Sequence, residues 1–152
     1  MQWHGFILNP IQSNLGDYMA IKRSAADKWF SDAIRHAAGY QCEHCQKSFP
    51  TLVQGFEACH IYSRRNRNTR WCVENCVALC GGCHRLMTEN PIMFSDFLLS
   101  EYGSGRLEIL REKHNQPKLV TNKIIEAQIS KHYREEFRRM TSFGTTDLVS
   151  WH

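Results

Sequence analysis

The chain has 152 residues, of which 42% are hydrophobic and 22% are charged, and its formal net charge at pH 7 is +4. This size and balance are typical of one globular domain, and no run approaches the roughly 18 apolar residues of a membrane helix. The first residues lack the charged-then-apolar layout of a secretory signal peptide, so we expect a cytoplasmic protein with no membrane partner. The small positive charge is weak evidence for a polyanionic partner.

The N-terminal part of the chain divides into an arm and a helix. Residues 1–23 have no sustained periodicity, which predicts a poorly structured arm. From Ser24 the pattern changes, because Ser24 and Asp27 can form a capping box and apolar residues then recur at helical spacing. Gly39 is a typical helix stop. We therefore predict a helix over about residues 25–38.

The middle of the chain combines short strands with a basic loop. Leu52, Val53 and residues 56–61 predict two short strands that form a hairpin around Gly55. Residues 62–75 are polar and rich in arginine, which predicts a loop.

The C-terminal part is predicted to be helical. A helix should begin at residues 80–83 and end near Glu89. Asn90-Pro91 should begin another helix, which stops at Gly103. A third is expected from Ser104 to about residue 114. Thr121 precedes a longer amphipathic helix that must pack on the core or on a second protomer, so a homodimer is left open. The predicted division is an arm, a core, a helical extension and a tail, at residues 1–23, 24–90, 91–140 and 141–152.

Seven cysteines in a chain without a secretory signal favour thiolate chemistry over disulfides. Four of them form two CxxC pairs separated by 34 residues, namely Cys42, Cys45, Cys80 and Cys83. Two such pairs supply the four-sulfur set that structural Zn²⁺ prefers. Cys59, Cys72 and Cys76 are expected to be small core residues, and His44 is expected to be exposed and inert.

Three residues around these cysteines carry a family resemblance. They are His60 in "ACHI", Asn75 in "VENCVALC" and His84 in "CGGCHRLM". In order and spacing they resemble the motif of the HNH endonucleases. The resemblance covers about residues 40–90 and implies an α+β fold, a zinc-braced, treble-clef-like ββα-metal core, here with an N-terminal helix and a C-terminal helical extension.

A narrower resemblance covers about residues 27–140. The stretches "DKWFSDAIRHAAGYQCEHCQKSF", "TRWCVENCVALCGGCHR" and "REKHNQPKLVTNKIIEAQISKHYREEF" are similar to the NinG, or Rap, recombination proteins of lambdoid phages. This resemblance implies a metal-dependent DNA endonuclease of phage recombination that is specific for branched DNA, such as Holliday junctions and D-loops. It would then act in the cytoplasm of a bacterial host.

The chemistry of phosphodiester hydrolysis assigns roles to the motif residues. His60 suits the general base, because imidazole titrates near neutral pH. His84 suits a ligand of a catalytic Mg²⁺ or Mn²⁺ ion, and Asn75 is expected to orient His60. Four nearby arginines are predicted to bind DNA phosphates, namely Arg64, Arg65, Arg67 and Arg70.

One residue departs from the family pattern. HNH sites commonly have aspartate directly before the base histidine, as an oxygen ligand for Mg²⁺, whereas this chain has Cys59, whose thiolate suits softer ions. Either Cys59 or Glu57 could complete the metal site, or water and substrate could do so. Two alternative functions therefore stay open: an HNH nuclease of the restriction or homing type that cuts linear duplex, and a non-catalytic zinc-stabilised DNA-binding module.

Overall fold

A computed structural model of the protein describes residues 21–151, so the predicted arm lies almost entirely outside the described residues. Within this range the chain forms four α-helices and one two-stranded antiparallel sheet, which confirms the α+β class. The elements, in chain order, are α1 Ala25–Ala37, β1 Phe56–His60, a 3-10 turn Val73–Asn75, β2 Cys76–Cys80, α2 Gly81–Glu89, α3 Pro91–Asn115 and α4 Lys123–Phe143. No helix in this part of the chain has the length and apolar character needed to cross a membrane.

The beginning of α1 confirms the predicted capping box. The Ser24 hydroxyl accepts a hydrogen bond from the Asp27 amide at 3.2 Å, and the Asp27 carboxylate accepts one from the Ser24 amide at 2.8 Å. These two bonds satisfy amides that a helix leaves unpaired at its N-terminus. Beyond Ala37 the backbone turns through Gly39, whose φ is +61°.

The sheet corrects the predicted hairpin. Leu52 and Val53 lie outside any strand, and β1 instead pairs with β2, in a register that runs from Phe56 opposite Cys80 to His60 opposite Cys76. The prediction paired β1 with the nearest apolar residues. In the structure its partner is β2, and the polar loop at residues 61–75 connects the two strands. This long hairpin places the arginine-rich loop directly after His60.

Two hydrophobic cores lie on either side of the sheet. Ala78 of β2 belongs to the first core, which also contains Phe30 and Tyr133, whereas Val77 and Leu79 belong to the second core, around the cysteines. Alternate residues of a strand point to opposite faces, so β2 serves both cores.

Helices α3 and α4 enclose these cores. The backbone of α3 leaves helical geometry at Gly103 (φ 72°, ψ 173°), where the sequence predicted a stop, and then continues as a helix. Helix α4 is capped by Asn122 and buries Ile129, Tyr133 and Met140 in the first core. The apolar line of α4 therefore packs on this chain's own core.

Candidate functional site

The two CxxC pairs converge at the start of α2. Cys80 is the N-cap of this helix and accepts a hydrogen bond from the Cys83 amide at 3.4 Å. The first pair is held against β2 because the Glu43 amide donates to the Ala78 carbonyl at 2.9 Å. The strand and the helix together therefore fix the positions of all four cysteines.

The sulfur geometry of this cysteine cluster fits a metal ion. The Sγ atoms of Cys42, Cys45, Cys80 and Cys83 all lie within 4.8 Å of one another, and those of Cys45 and Cys80 are 3.7 Å apart. Tetrahedral Zn–S bonds of about 2.3 Å place the sulfurs about 3.8 Å apart. The cluster could therefore hold a metal ion such as zinc, and among the described residues it is the only group of three or more possible ligands found.

His44 has a defined position that the sequence did not predict. Its Nδ1 lies 3.3 Å from Cys83 Sγ, and its ring meets Phe97 edge to face at a centroid distance of 5.3 Å. A thiolate sulfur can only accept, so the imidazole N–H would donate to it. His44 is therefore a half-buried neighbour of the cluster and not the exposed, inert residue that was expected.

A separate cleft brings the two motif histidines together. Its volume is about 760 Å³, and both His60 and His84 line it. Glu57 of β1 and Arg64 of the loop also face this cleft. Strand β1, the following loop and helix α2 thus contribute side chains to one space.

His60 is fixed in one tautomer. Its Nε2 lies 3.0 Å from the Arg70 carbonyl oxygen, which can only accept, so Nε2 carries the proton and Nδ1 keeps its lone pair. Burial lowers the pKa of His60 to about 4, although the hydrogen bond to Arg70 opposes this shift. At neutral pH the ring is therefore uncharged, with a lone pair at Nδ1, but it is a weaker base than the imidazole with a near-neutral pKa that the sequence predicted.

Asn75 braces the loop that supports His60. It is fully buried, and its side chain accepts from the Tyr62 amide at 2.7 Å and donates to the carbonyls of Tyr62 and Thr69 at 3.0 and 2.9 Å. These bonds join the start of the loop to the residue before Arg70. Asn75 therefore acts on His60 through the loop rather than through a direct bond.

His84 pairs with Glu57 at the mouth of the cleft. The distance from His84 Nδ1 to a carboxylate oxygen of Glu57 is 2.5 Å, and 33% and 48% of the two side chains are exposed. Cys59 instead lies in the second core with 3% exposure, and burial raises the pKa of its thiol to about 12. Of the two candidates for an additional metal ligand, the geometry favours Glu57.

Arg70 has a structural position. Its guanidinium binds the buried carboxylate of Asp27 through two hydrogen bonds, of 2.9 and 2.5 Å, and Trp71 Nε1 donates to the same carboxylate at 3.0 Å. Burial alone would raise the pKa of Asp27, but the bonds and charge of Arg70, together with Ser24, hold it below its ordinary value. The buried, paired Arg70 guanidinium is therefore not available for the phosphate-binding role that the sequence predicted. Asp27 was identified only as a helix cap, because its pairing with Arg70 has no local signal.

The other three arginines are more accessible. Arg64 faces the cleft, and Arg65 and Arg67 are exposed. The Arg67 guanidinium also donates to the Thr121 carbonyl at 3.1 Å, which ties the loop to the segment before α4.

A scan against protein-family models, a search of curated proteins and a search of solved structures each give no significant match. The fold and the site together define an α+β protein with a four-cysteine cluster that could hold a metal ion, beside a cleft that contains His60 and His84. The resemblance to HNH endonucleases and to the NinG, or Rap, proteins stays a prediction from the sequence motifs.

Proposed function

We propose that the protein is a zinc-stabilised DNA endonuclease of the HNH type that hydrolyses phosphodiesters in a metal-dependent reaction. The observation that carries the proposal is the arrangement of His60, with Nε2 bound to a carbonyl, in the same cleft as His84, Glu57 and Arg64. A neutral base, oxygen and nitrogen ligands, and a cation that can bind phosphate are the groups that this reaction requires.

Zinc bound by the four cysteines would have a structural role. A closed set of four thiolates leaves no position for substrate, which is characteristic of structural zinc sites. The cluster anchors the N-terminus of α2 and therefore the backbone that carries His84. His44 would donate to the Cys83 thiolate and help to hold it in place.

The chain's own residues would activate and position the reactants. His60 would accept a proton from water at Nδ1, while the Arg70 carbonyl keeps Nε2 protonated and the ring oriented. Asn75 would be a positioning residue, since it holds the loop on which that carbonyl lies. Arg64 would bind a phosphate oxygen next to the bond that is cut.

Glu57 and His84 could hold a catalytic Mg²⁺ or Mn²⁺ ion. When bound, such an ion supplies electrostatic stabilisation of charge on the phosphoryl oxygens. Two side chains leave most of an octahedral coordination shell to water and substrate oxygens. The preference for branched DNA, the role in phage recombination and action in the cytoplasm are supported only by the resemblance to the NinG, or Rap, proteins.

The test is a cleavage assay on a four-way junction and on a linear duplex of matched sequence, with Mg²⁺, Mn²⁺ or EDTA. We expect cleavage of the junction with a divalent ion, slower cleavage of the duplex, and none with EDTA. Equal cleavage of both substrates would favour the linear-duplex nuclease. Binding without cleavage in either ion would overturn the endonuclease and favour the DNA-binding module.

A further inference from the structure

The connection between α3 and α4 exposes two consecutive apolar side chains. Leu119 is 45% exposed and Val120 is 81% exposed, and Ile124 in the first turn of α4 is 70% exposed. We call Leu119 and Val120 the apolar tip. Two adjacent apolar side chains exposed on a connection are unfavourable in water, and burying them against a partner would be favourable.

The arginine-rich loop holds this tip in place. The Asn68 side chain accepts from the Leu119 amide at 2.7 Å and donates to the Gln116 carbonyl at 2.8 Å. On the other side of the tip, Arg67 donates to the Thr121 carbonyl at 3.1 Å. The tip is therefore ordered before it meets a partner, which lowers the entropy cost of binding.

The surroundings of the tip match the chemistry of an exposed base pair in DNA. Exposed Lys118 and Lys123 flank the tip in the sequence, and exposed Arg67 contacts Thr121, the residue that follows the tip. The nearest acidic residue along α4 is Glu126. An exposed base pair has an apolar face with phosphates around it. The apolar tip could therefore contact the face while the surrounding cations bind the phosphates. Apolar side chains that press between base steps are a known means of binding deformed DNA.

We propose that the apolar tip packs against the exposed face of a base pair at a DNA branch point. Linear duplex exposes such faces only at its ends, so the tip would provide selectivity for branched DNA. The same loop joins the tip to the cleft, because Asn68 and Arg67 hold the tip while Arg64 faces the cleft. This inference rests on the proposed function, since it names the substrate feature that the nuclease recognises.

The experiment measures the affinity of the full chain for a four-way junction and for a matched linear duplex, with 2-aminopurine placed at the branch point. The double substitution Leu119→Ser and Val120→Ser should weaken junction binding by about tenfold or more relative to duplex binding, because it removes apolar burial. Binding of the parent protein should unstack the 2-aminopurine and raise its fluorescence, and binding of the double variant should not. Ile109→Ser, at a residue of α3 that is 50% exposed, is the matched control and should change neither readout.

Three other outcomes would overturn the inference, and they differ in meaning. A parent protein that binds neither DNA would overturn the proposed function and this inference together. A parent that prefers the junction, with a double variant that keeps the full preference and fluorescence change, would overturn the inference alone. Analytical ultracentrifugation in which the double variant converts a dimer to a monomer would assign the tip to contact between two copies of the chain.

Discussion

The cysteine cluster and the cleft differ in how completely the chain builds each site. The cluster gathers four sulfur ligands within 4.8 Å of one another, whereas the cleft offers the pair Glu57 and His84, both partly exposed. A complete ligand set binds its ion tightly without substrate, and a two-residue set needs further ligands. Under the proposed function we therefore expect a resident ion in the cluster and an exchangeable ion in the cleft that substrate helps to hold.

The largest effect is expected from breaking the cluster. Cys83→Ser removes one of four thiolates, and binding of structural zinc is worth about 10–16 kcal/mol in small domains, comparable to a domain's entire stability. We expect loss of zinc and of cooperative folding, measured by elemental analysis and circular dichroism. Cys59→Ala is the matched control, because this buried cysteine lies outside the cluster and should keep the metal. A folded Cys83→Ser protein without zinc would show that the cluster is dispensable.

The second largest effect is expected from breaking the buried ion pair between Asp27 and Arg70. Asp27→Ala leaves the Arg70 guanidinium buried without its partner, which should lower the free energy of unfolding by about 3–5 kcal/mol. Asp96→Ala, at an exposed residue of α3, should change it little. Urea denaturation measures both values, and equal stability of the two variants would contradict the role of the pair.

The same ion pair predicts a dependence of stability on pH. The pKa of Asp27 is lowered in the folded protein, so its contribution is complete above its ordinary value of 3.8 and is lost as pH falls through the lowered value. The difference in stability between the parent and Asp27→Asn should therefore shrink on acidification.

Local signals in the sequence predicted the helices well, but they predicted a strand at Leu52 and Val53 that is absent and missed β2 and its pairing with β1. The Ser24 capping box and the start of α2 at the second cysteine pair depend on residues close in sequence, and both are found. The stop predicted at Gly103 is a local break within α3. The pairing of β1 with β2 depends on a strand beyond a long loop, and no local pattern distinguishes it from a nearer one.

The candidate site, like the fold, was predicted where the signal is local and missed where it depends on residues distant in sequence. Spacing alone predicted the four-cysteine cluster, because each CxxC pair is a local unit. The burial of Arg70 against Asp27 was missed, since charge density in the loop gave no information about a carboxylate on α1. The position of Glu57 beside His84 also depends on the sheet register, which the sequence did not specify.

A smaller effect should distinguish the exchangeable ion from the resident one. His84→Ala and Glu57→Gln should each raise the Mn²⁺ concentration needed for half-maximal cleavage by about tenfold or more, because a ligand or its partner is lost. Zinc content should stay the same, and high Mn²⁺ should restore part of the rate. Glu89→Gln, at the exposed end of α2, is the control. Unchanged Mn²⁺ dependence in both variants would place the ion elsewhere.

The smallest effect is expected at the accessible arginines. Arg64→Ala and Arg65→Ala should each reduce the slope of log affinity against log salt concentration by about 0.9 if each residue contacts one phosphate of duplex DNA. Arg111→Ala, at an exposed position of α3, should leave the slope unchanged. Fluorescence anisotropy at several salt concentrations measures the slope, and parallel lines for all four proteins would mean that DNA follows another surface.

The central claim is that His60 is the general base, and single-turnover cleavage of a four-way junction by His60→Ala tests it most directly. At saturating Mn²⁺ the variant should cut about 10²–10⁴-fold more slowly than the parent, with the same zinc content and circular dichroism. His132→Ala, which alters a histidine of α4 that bonds the Val149 carbonyl, should cut at the parental rate. A His60→Ala protein that cuts as fast as the parent would contradict the account.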